Sequence, residues 1–194
     1  MKELNYYSNY NDNSNSKEEL KCSSKYRSKI LQNCASYILR ITAYFSSFSS
    51  ILFLRLFLQT LHIVPGKRLL TMIFRKNNVM LLFLMPDGKA ESVKRVLDYL
   101  ETGLGIDVFR RLFPVILTDN GSEFKKVDEL ELTLDEDGFL VYRTSLYYCD
   151  PMASWQKGCI KKNHEFIRYA VPKGKSLNPY TQEDMTLLMN HINS

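Results

Sequence analysis

The C-terminal two-thirds of the chain shows a regular pattern of apolar and polar positions. Two apolar runs at 68–74 and 79–85 flank the polar turn Arg-Lys-Asn-Asn, which predicts a hairpin of two largely buried strands. Apolar residues then recur at helical spacing over 90–100, and the short apolar stretch Phe-Pro-Val-Ile-Leu-Thr-Asp-Asn at 113–120 predicts another strand. Helices interleaved with the strands of a mixed sheet indicate an α/β fold.

The pattern continues to the C-terminus. The sequence Leu-Thr-Leu-Asp-Glu-Asp-Gly-Phe-Leu-Val-Tyr-Arg at 132–143 predicts a second hairpin that turns at Asp137-Gly138. Residues 159–171 have the composition of a helix. Thr181 and Asp184 form a predicted capping pair at the start of a last helix.

The first 64 residues have a different character. All eight glycines and all six prolines of the chain follow residue 64, although ordinary domains rely on both for turns and caps. We therefore divide the chain into an atypical N-terminal segment, 1–64, and a domain, 65–194. Within the segment, 1–29 is polar and expected to be disordered, and 30–64 is strongly apolar.

The apolar stretch raises the question of a membrane span. Its uncharged part, Ile41–Leu54, has 14 residues, whereas a span needs about 20. A buried helix is favoured, and a small membrane-associated protein is the least favoured class. A signal peptide is not expected, because a long polar segment precedes the run.

The net charge of +5 comes mostly from the N-terminal segment, which has eight Lys and Arg against four Asp and Glu; the remainder has eighteen against seventeen. The four cysteines form no CxxC pair and indicate reduced thiols in a cytoplasmic protein. Cys149, Cys159 and His164 could be drawn as a zinc site, but their spacing fits no common pattern.

One stretch of the domain is strongly basic. Residues 157–175 carry six basic residues and one acidic residue, Glu165. Lysine and arginine contacts to phosphate give salt-sensitive binding to nucleic acid, and a solvated helix face is the alternative. Trp155 and Tyr169 could stack on bases, although core packing is favoured for isolated aromatic residues.

Asp119 is the strongest candidate for chemistry, because it ends an apolar run directly before Asn120-Gly121. A carboxylate beside a hydrophobic core is costly unless something pairs with it. The stretch Leu-Thr-Asp-Asn-Gly-Ser-Glu-Phe at 117–124 resembles the integrase core of insertion-sequence transposases, in particular the insertion-sequence-thirty family. The resemblance extends from about residue 67 to the C-terminus. Its other matching elements are Asp150-Pro151, Ser154, Gln156-Lys157-Gly158, Asn163, Ile167-Arg168 and Pro172-Lys173-Gly174.

The resemblance implies a ribonuclease-H-like mixed sheet flanked by helices and a function in DNA integration and transposition. Such enzymes hold two magnesium ions with an Asp, a second Asp and a Glu, because this hard cation prefers oxygen ligands. Asp119 would be the second carboxylate. The residues expected along the DNA are Asn120, Lys157, Lys161, Lys162, Arg168 and Lys173.

The other two carboxylates of the family are missing. The helical Glu falls on Lys161, and the first Asp should lie near Gln59 or Thr60, on a strand just before 67–74. The sequence has no acidic residue between Glu19 and Asp87. Glu165 lies one turn after Lys161, about 6 Å along the axis and too far to replace it. The lysine would also compete with cations for Asp119.

The sequence therefore predicts a truncated or degenerate integrase-core protein that is inactive in strand transfer and does not bind magnesium tightly. The alternative is a non-catalytic remnant that binds nucleic acid or intact transposase subunits. The family's N-terminal helix-turn-helix is not recognisable in residues 1–64.

Overall fold

A five-stranded mixed sheet forms the centre of the fold. The computed structural model describes residues 55–61, 66–74, 78–150 and 158–194. The strands in chain order are β1 (Arg55–Leu61), β2 (Arg68–Phe74), β3 (Met80–Met85), β4 (Val115–Thr118), β5 (Leu132–Leu134), β6 (Leu140–Tyr142) and β7 (Ser145–Tyr148). The large sheet has the order β3-β2-β1-β4-β7, and β5 pairs with β6 separately.

The directions of the strands divide the sheet in two. β1, β2 and β3 are antiparallel neighbours, whereas β4 runs parallel to both β1 and β7. Three antiparallel strands continued by two parallel ones give the mixed sheet of a ribonuclease-H-like fold. The predicted fold class is thus confirmed, as is the hairpin at 68–85.

β1 corrects one expectation from composition. Its residues lie in the apolar stretch for which a buried helix was favoured, and this was wrong for 55–61. Leu56, Phe57 and Leu58 are all fully buried although they are consecutive, so both faces of β1 are covered. A strand covered on both faces is a continuous apolar run, which periodicity cannot distinguish from a buried helix. Within the described residues, the sheet starts at Arg55, ahead of residue 65, and it includes the strand that the resemblance required near Gln59.

The helices in chain order are α1 (Ala90–Leu104), α2 (Ile106–Leu112), α3 (Val127–Glu131), α4 (Gly158–Ala170) and α5 (Gln182–Ile192), with a 3-10 turn at Ser122–Phe124. The helices α1 and α2 connect β3 to β4, and Gly105 separates them with a positive φ of 79°. The helices predicted over 90–100 and 159–171 are confirmed.

The last helix begins with the predicted capping box. The Thr181 hydroxyl accepts a hydrogen bond from the Asp184 main-chain N–H, and the Asp184 carboxylate accepts one from the Thr181 N–H. The second hairpin is also confirmed, with Gly138 at φ 82° in its turn. In the described part of the chain, no helix is long and apolar enough to cross a membrane. The segment 30–54 lies outside the described residues.

Both edges of the large sheet are covered by side chains. At β3, Gln182 accepts from the Leu84 N–H at 2.6 Å and donates to the Leu82 carbonyl at 2.8 Å. Asn193 forms the same pair of bonds with Met80, at 2.9 and 2.8 Å. At β7, the Glu131 carboxylate accepts from the Leu146 N–H. These contacts occupy main-chain groups that would otherwise pair with another strand.

Candidate functional site

The carboxyl ends of β1 and β4 bring Asp119 beside Gln59. Leu58 is the register partner of Thr118, so the next residue of each strand is Gln59 and Asp119. In-register neighbours of parallel strands project to the same side of a sheet. Asp119 is half-buried and Asn120 is exposed. Of the two positions near which the resemblance expects the first carboxylate, Gln59 is the one on the same face as Asp119, and it carries an amide.

A buried hydrogen-bond chain holds α4 against this face of the sheet. Thr71 is the register partner of Gln59, and its hydroxyl donates to the Gln59 carbonyl at 2.9 Å. The same hydroxyl oxygen lies 2.9 Å from Nε2 of His164 on α4. Because the single hydroxyl proton is already donated, His164 carries the proton on Nε2. Side-chain alternation places Thr71, Gln59 and Asp119 on one face, and α4 packs on that face.

His164 is adapted to this position as a neutral imidazole. Burial, with a smaller contribution from the nearby Arg168 guanidinium, lowers its pKa to about 4. Its Nε2 atom bonds to Thr71 and so has a structural role. Cys159, with which His164 and Cys149 could be drawn as a zinc site, lies outside the described side chains.

Glu123 lies on the other face of the sheet and was not predicted to have a role. It is buried, and the Thr60 hydroxyl donates a hydrogen bond to its Oε1 atom. Thr60 follows Gln59 on β1, so its side chain points to the opposite side from Asp119. A Cβ atom on Gly121 would stand 2.7 Å from Oε2 of Glu123. Glu123 and the glycine thus join the turn after Asp119 to the end of β1.

The residues present do not fit a pair of magnesium ions. β1 and β4 provide one carboxylate, Asp119, and one amide, Gln59, at neighbouring positions, and the chain has lysine at position 161. Two adjacent dications need several anionic oxygen ligands. Across the described ranges, no three His, Cys, Asp or Glu side chains are grouped so that they could hold a metal ion.

The predicted basic residues that the structure describes are on the surface. Lys162, Arg168, Lys173 and Lys175 are all exposed. None of them forms an ion pair within the described part of the chain, whereas Lys94 pairs with Asp98 and Lys126 with Glu91 and Glu129. Lys157 and the side chain of Lys161 lie outside the described residues.

Tyr169 corrects a second expectation. Core packing was favoured for it, but 87% of its surface is exposed, as is 47% of that of Phe166. Among the described side chains of α4 and the turn after it, the buried ones are His164, Ile167 and Val171, which recur at helical spacing. Tyr169 lies on the opposite side of the helix. Its position relative to the apolar residues of the helical repeat could have predicted its exposure. Trp155 lies outside the described residues.

Comparison with known proteins finds that the chain is similar to transposases of insertion sequences. It is 29% identical over 85 residues to the transposase for insertion sequence element IS4351 of Bacteroides fragilis, covering 44% of this chain and 24% of that protein. It is 25% identical over 124 residues to the transposase InsI for insertion sequence element IS30C of Escherichia coli K12, covering 64% of this chain and 29% of that protein. The chain thus spans 24% and 29% of the length of these two curated relatives.

Among solved structures, the catalytic core domain of BIV integrase aligns with a TM-score of 0.46 and 14% identity, over 71% of this chain and 80% of that chain. No protein-family model matches the sequence. The sequence relatives support the predicted resemblance to integrase-core transposases of the insertion-sequence-thirty family.

Proposed function

We propose that this chain, a relative of the insertion-sequence transposases with an integrase core, binds DNA in the cytoplasm without catalysing strand transfer. The observation that carries the proposal is that Gln59 and Asp119 directly follow Leu58 and Thr118, the last register pair of β1 and β4. An amide stands where the chemistry requires a carboxylate, and position 161 of α4 has an ammonium group. Both substitutions remove an acidic group that the family's metal site uses together with the equivalent of Asp119.

The DNA-binding part of the proposal rests on the exposed cations of α4 and the loop after it. Lys162, Arg168, Lys173 and Lys175 are exposed and without acidic partners among the described residues. Exposed cations without acidic partners release counterions from DNA when they contact phosphates. If all four contact phosphates, log Kd should change with log salt with a slope of about 3.6. Affinity would then fall on the order of 100-fold between about 50 and about 200 mM salt.

Fluorescence anisotropy with a labelled duplex tests this part. Lys162→Ala and Lys173→Ala should each weaken binding at low salt and reduce the salt slope by about 1. Lys126→Ala is the matched control, because Lys126 is equally exposed but pairs with Glu91 and Glu129 at 2.7 and 3.0 Å; it should leave the slope unchanged. No measurable duplex binding by the unmodified chain would reject the proposal.

The metal-binding part is tested by thermal unfolding with magnesium or manganese. Neither ion should stabilise the unmodified chain, since Gln59 and Lys161 stand at the positions where the resemblance expects the other two carboxylates. Lys161→Glu replaces a cation with a second anion, so divalent-ion affinity should rise while stability without metal falls. Stabilisation of the unmodified chain that disappears in Asp119→Ala would mean that substitute ligands exist.

A second candidate function is binding to intact transposase subunits. The observation that favours it is the β5–β6 hairpin, where Leu134, Phe139, Leu140 and Tyr142 are each at least 58% exposed. Large exposed apolar groups of this kind are typical of protein interfaces. Co-purification with a full-length related transposase, and its loss in Phe139→Ser, would support this function; co-purification that Phe139→Ser leaves unchanged would count against the hairpin.

A further inference from the structure

The helix α4 carries an aromatic stripe between positive charges. Lys162, Phe166 and Tyr169 follow one another at intervals of four and three residues, which places them along one side of the helix. His164 and Ile167 occupy the buried side. Lys173 follows in the exposed loop after the helix. We call Lys162, Phe166, Tyr169 and Lys173 the α4 stripe.

The aromatic members of the α4 stripe are not explained by the fold. Tyr169 is 87% exposed and Phe166 is 47% exposed, so neither ring contributes much to the core. Exposed rings of this size leave apolar area in water, which burial in a complex would remove. A binding partner that covers the stripe therefore has to offer flat or apolar surface.

The charges around the rings limit what that partner can be. Lys162, Arg168, Lys173 and Lys175 flank them, and Glu165 is the one acidic residue over 157–175. The partner is therefore anionic as well as flat. In duplex DNA the faces of the bases are stacked on one another and closed to side chains, whereas unpaired bases expose both faces next to a phosphate backbone.

We propose that the α4 stripe binds single-stranded DNA, with Phe166 and Tyr169 stacking on unpaired bases and the flanking cations contacting phosphates. The inference deepens the proposed DNA-binding function by naming unpaired strands as the preferred ligand. It rests on that function for the phosphate contacts, but the stacking contacts can be measured separately.

The test uses the full chain and three labelled probes: a blunt duplex, the same duplex with an unpaired thymidine extension, and oligothymidine. The extended duplex and oligothymidine should bind more tightly than the blunt duplex. Tyr169→Ala should weaken binding to both of these by about 5- to 150-fold, the range for loss of one stacked base, and leave the blunt duplex unchanged.

Conservative variants separate stacking from general apolar contact. Tyr169→Trp keeps an aromatic face and should retain the affinity, whereas Tyr169→Leu keeps apolar area without that face and should behave like Tyr169→Ala. A 2-aminopurine base in the extension should change its fluorescence on binding, and Tyr169→Leu should reduce the change. Lys173→Ala should weaken binding to all three probes by a similar factor.

Several outcomes would overturn the inference. Equal affinity of Tyr169→Ala and the unmodified chain for the extended duplex would do so. Unchanged affinity of Tyr169→Leu for that probe would do so as well. The α4 stripe would be assigned to another partner if Tyr169→Ala left the DNA affinities unchanged but reduced binding to anionic lipid vesicles or self-association. If the unmodified chain does not bind the blunt duplex, and Tyr169→Ala loses binding to the extended duplex, the stacking proposal is supported and the duplex-binding proposal is rejected.

Discussion

The buried hydrogen-bond chain between α4 and the sheet should make stability depend on the protonation of His164. Its pKa is lowered from 6.5 to about 4 by burial, with a smaller contribution from Arg168. The unfolded chain binds a proton at His164 below about pH 6.5, and the native chain does so only near pH 4. This contribution to stability is therefore complete above the unfolded value and is lost as the pH falls towards 4.

The size of the effect follows from the two pKa values. The gap between 6.5 and about 4 corresponds to about 3 kcal/mol when it is fully expressed. Between about pH 7 and about pH 4.5, the expected loss from this one group is about 2.5 kcal/mol. Asp87 and Asp184 also have lowered pKa values, from hydrogen bonds to Ser92 and to Thr181 respectively, and add a separate acid dependence.

The substitution that isolates His164 is His164→Gln, whose amide can still donate to Thr71 but does not titrate. Urea unfolding at about pH 7 and about pH 4.5 gives the free energy of unfolding of each protein. The unmodified chain should lose about 2.5 kcal/mol more than His164→Gln over this range, because the carboxyl contributions cancel in the difference. His191→Gln, at an exposed histidine, is the control and should follow the unmodified chain. Equal losses in the unmodified chain and His164→Gln would refute the reasoning.

Three further predictions concern contacts that hold the site together. Thr60→Val removes the hydroxyl that donates to buried Glu123 and should cost about 1–3 kcal/mol in urea unfolding, whereas an unchanged value would show that the carboxylate has another donor. Gly121→Ala places a Cβ 2.7 Å from the Glu123 carboxylate and should lower the free energy of unfolding by a similar amount. Because both substitutions disturb the same carboxylate, the double variant with Thr60→Val should lose less than the sum of the two single losses; strict additivity would contradict the shared contact. Gln182→Ala with Asn193→Ala exposes the edge of β3 and should increase light scattering on heating, whereas Glu183→Ala should not; equal scattering would reject the edge-covering role.

Local patterns were sufficient to predict much of the fold. The hairpin at 68–85 follows from two apolar runs around a polar turn, and the capping box follows from Thr181 and Asp184 three residues apart. Both are determined by residues close together in the sequence. Long-range pairing was not accessible in the same way: β1 is a strand because it lies between β2 and β4, and only the resemblance located a strand near Gln59.

The site was predicted in part for the same reason. The motif around Asp119 could be recognised, but the contact between Thr60 and Glu123 joins residues 63 positions apart and has no local signal. The hydrogen bond of His164 to Thr71 spans 93 positions. The exposure of Tyr169 could have been inferred, because it is out of phase with Ile167 on the same helix. The roles predicted for Asp119, Asn120 and the lysines remain predictions.

The most direct test of the central claim is a magnesium-dependent nicking and strand-transfer assay on DNA carrying the ends of a related insertion sequence. A full-length related transposase is the positive control. The account predicts no cleavage by the unmodified chain or by Lys161→Glu, and requires Gln59→Asp with Lys161→Glu, joined to a recognition domain, for activity. Cleavage by the unmodified chain that is abolished in Asp119→Ala would contradict it.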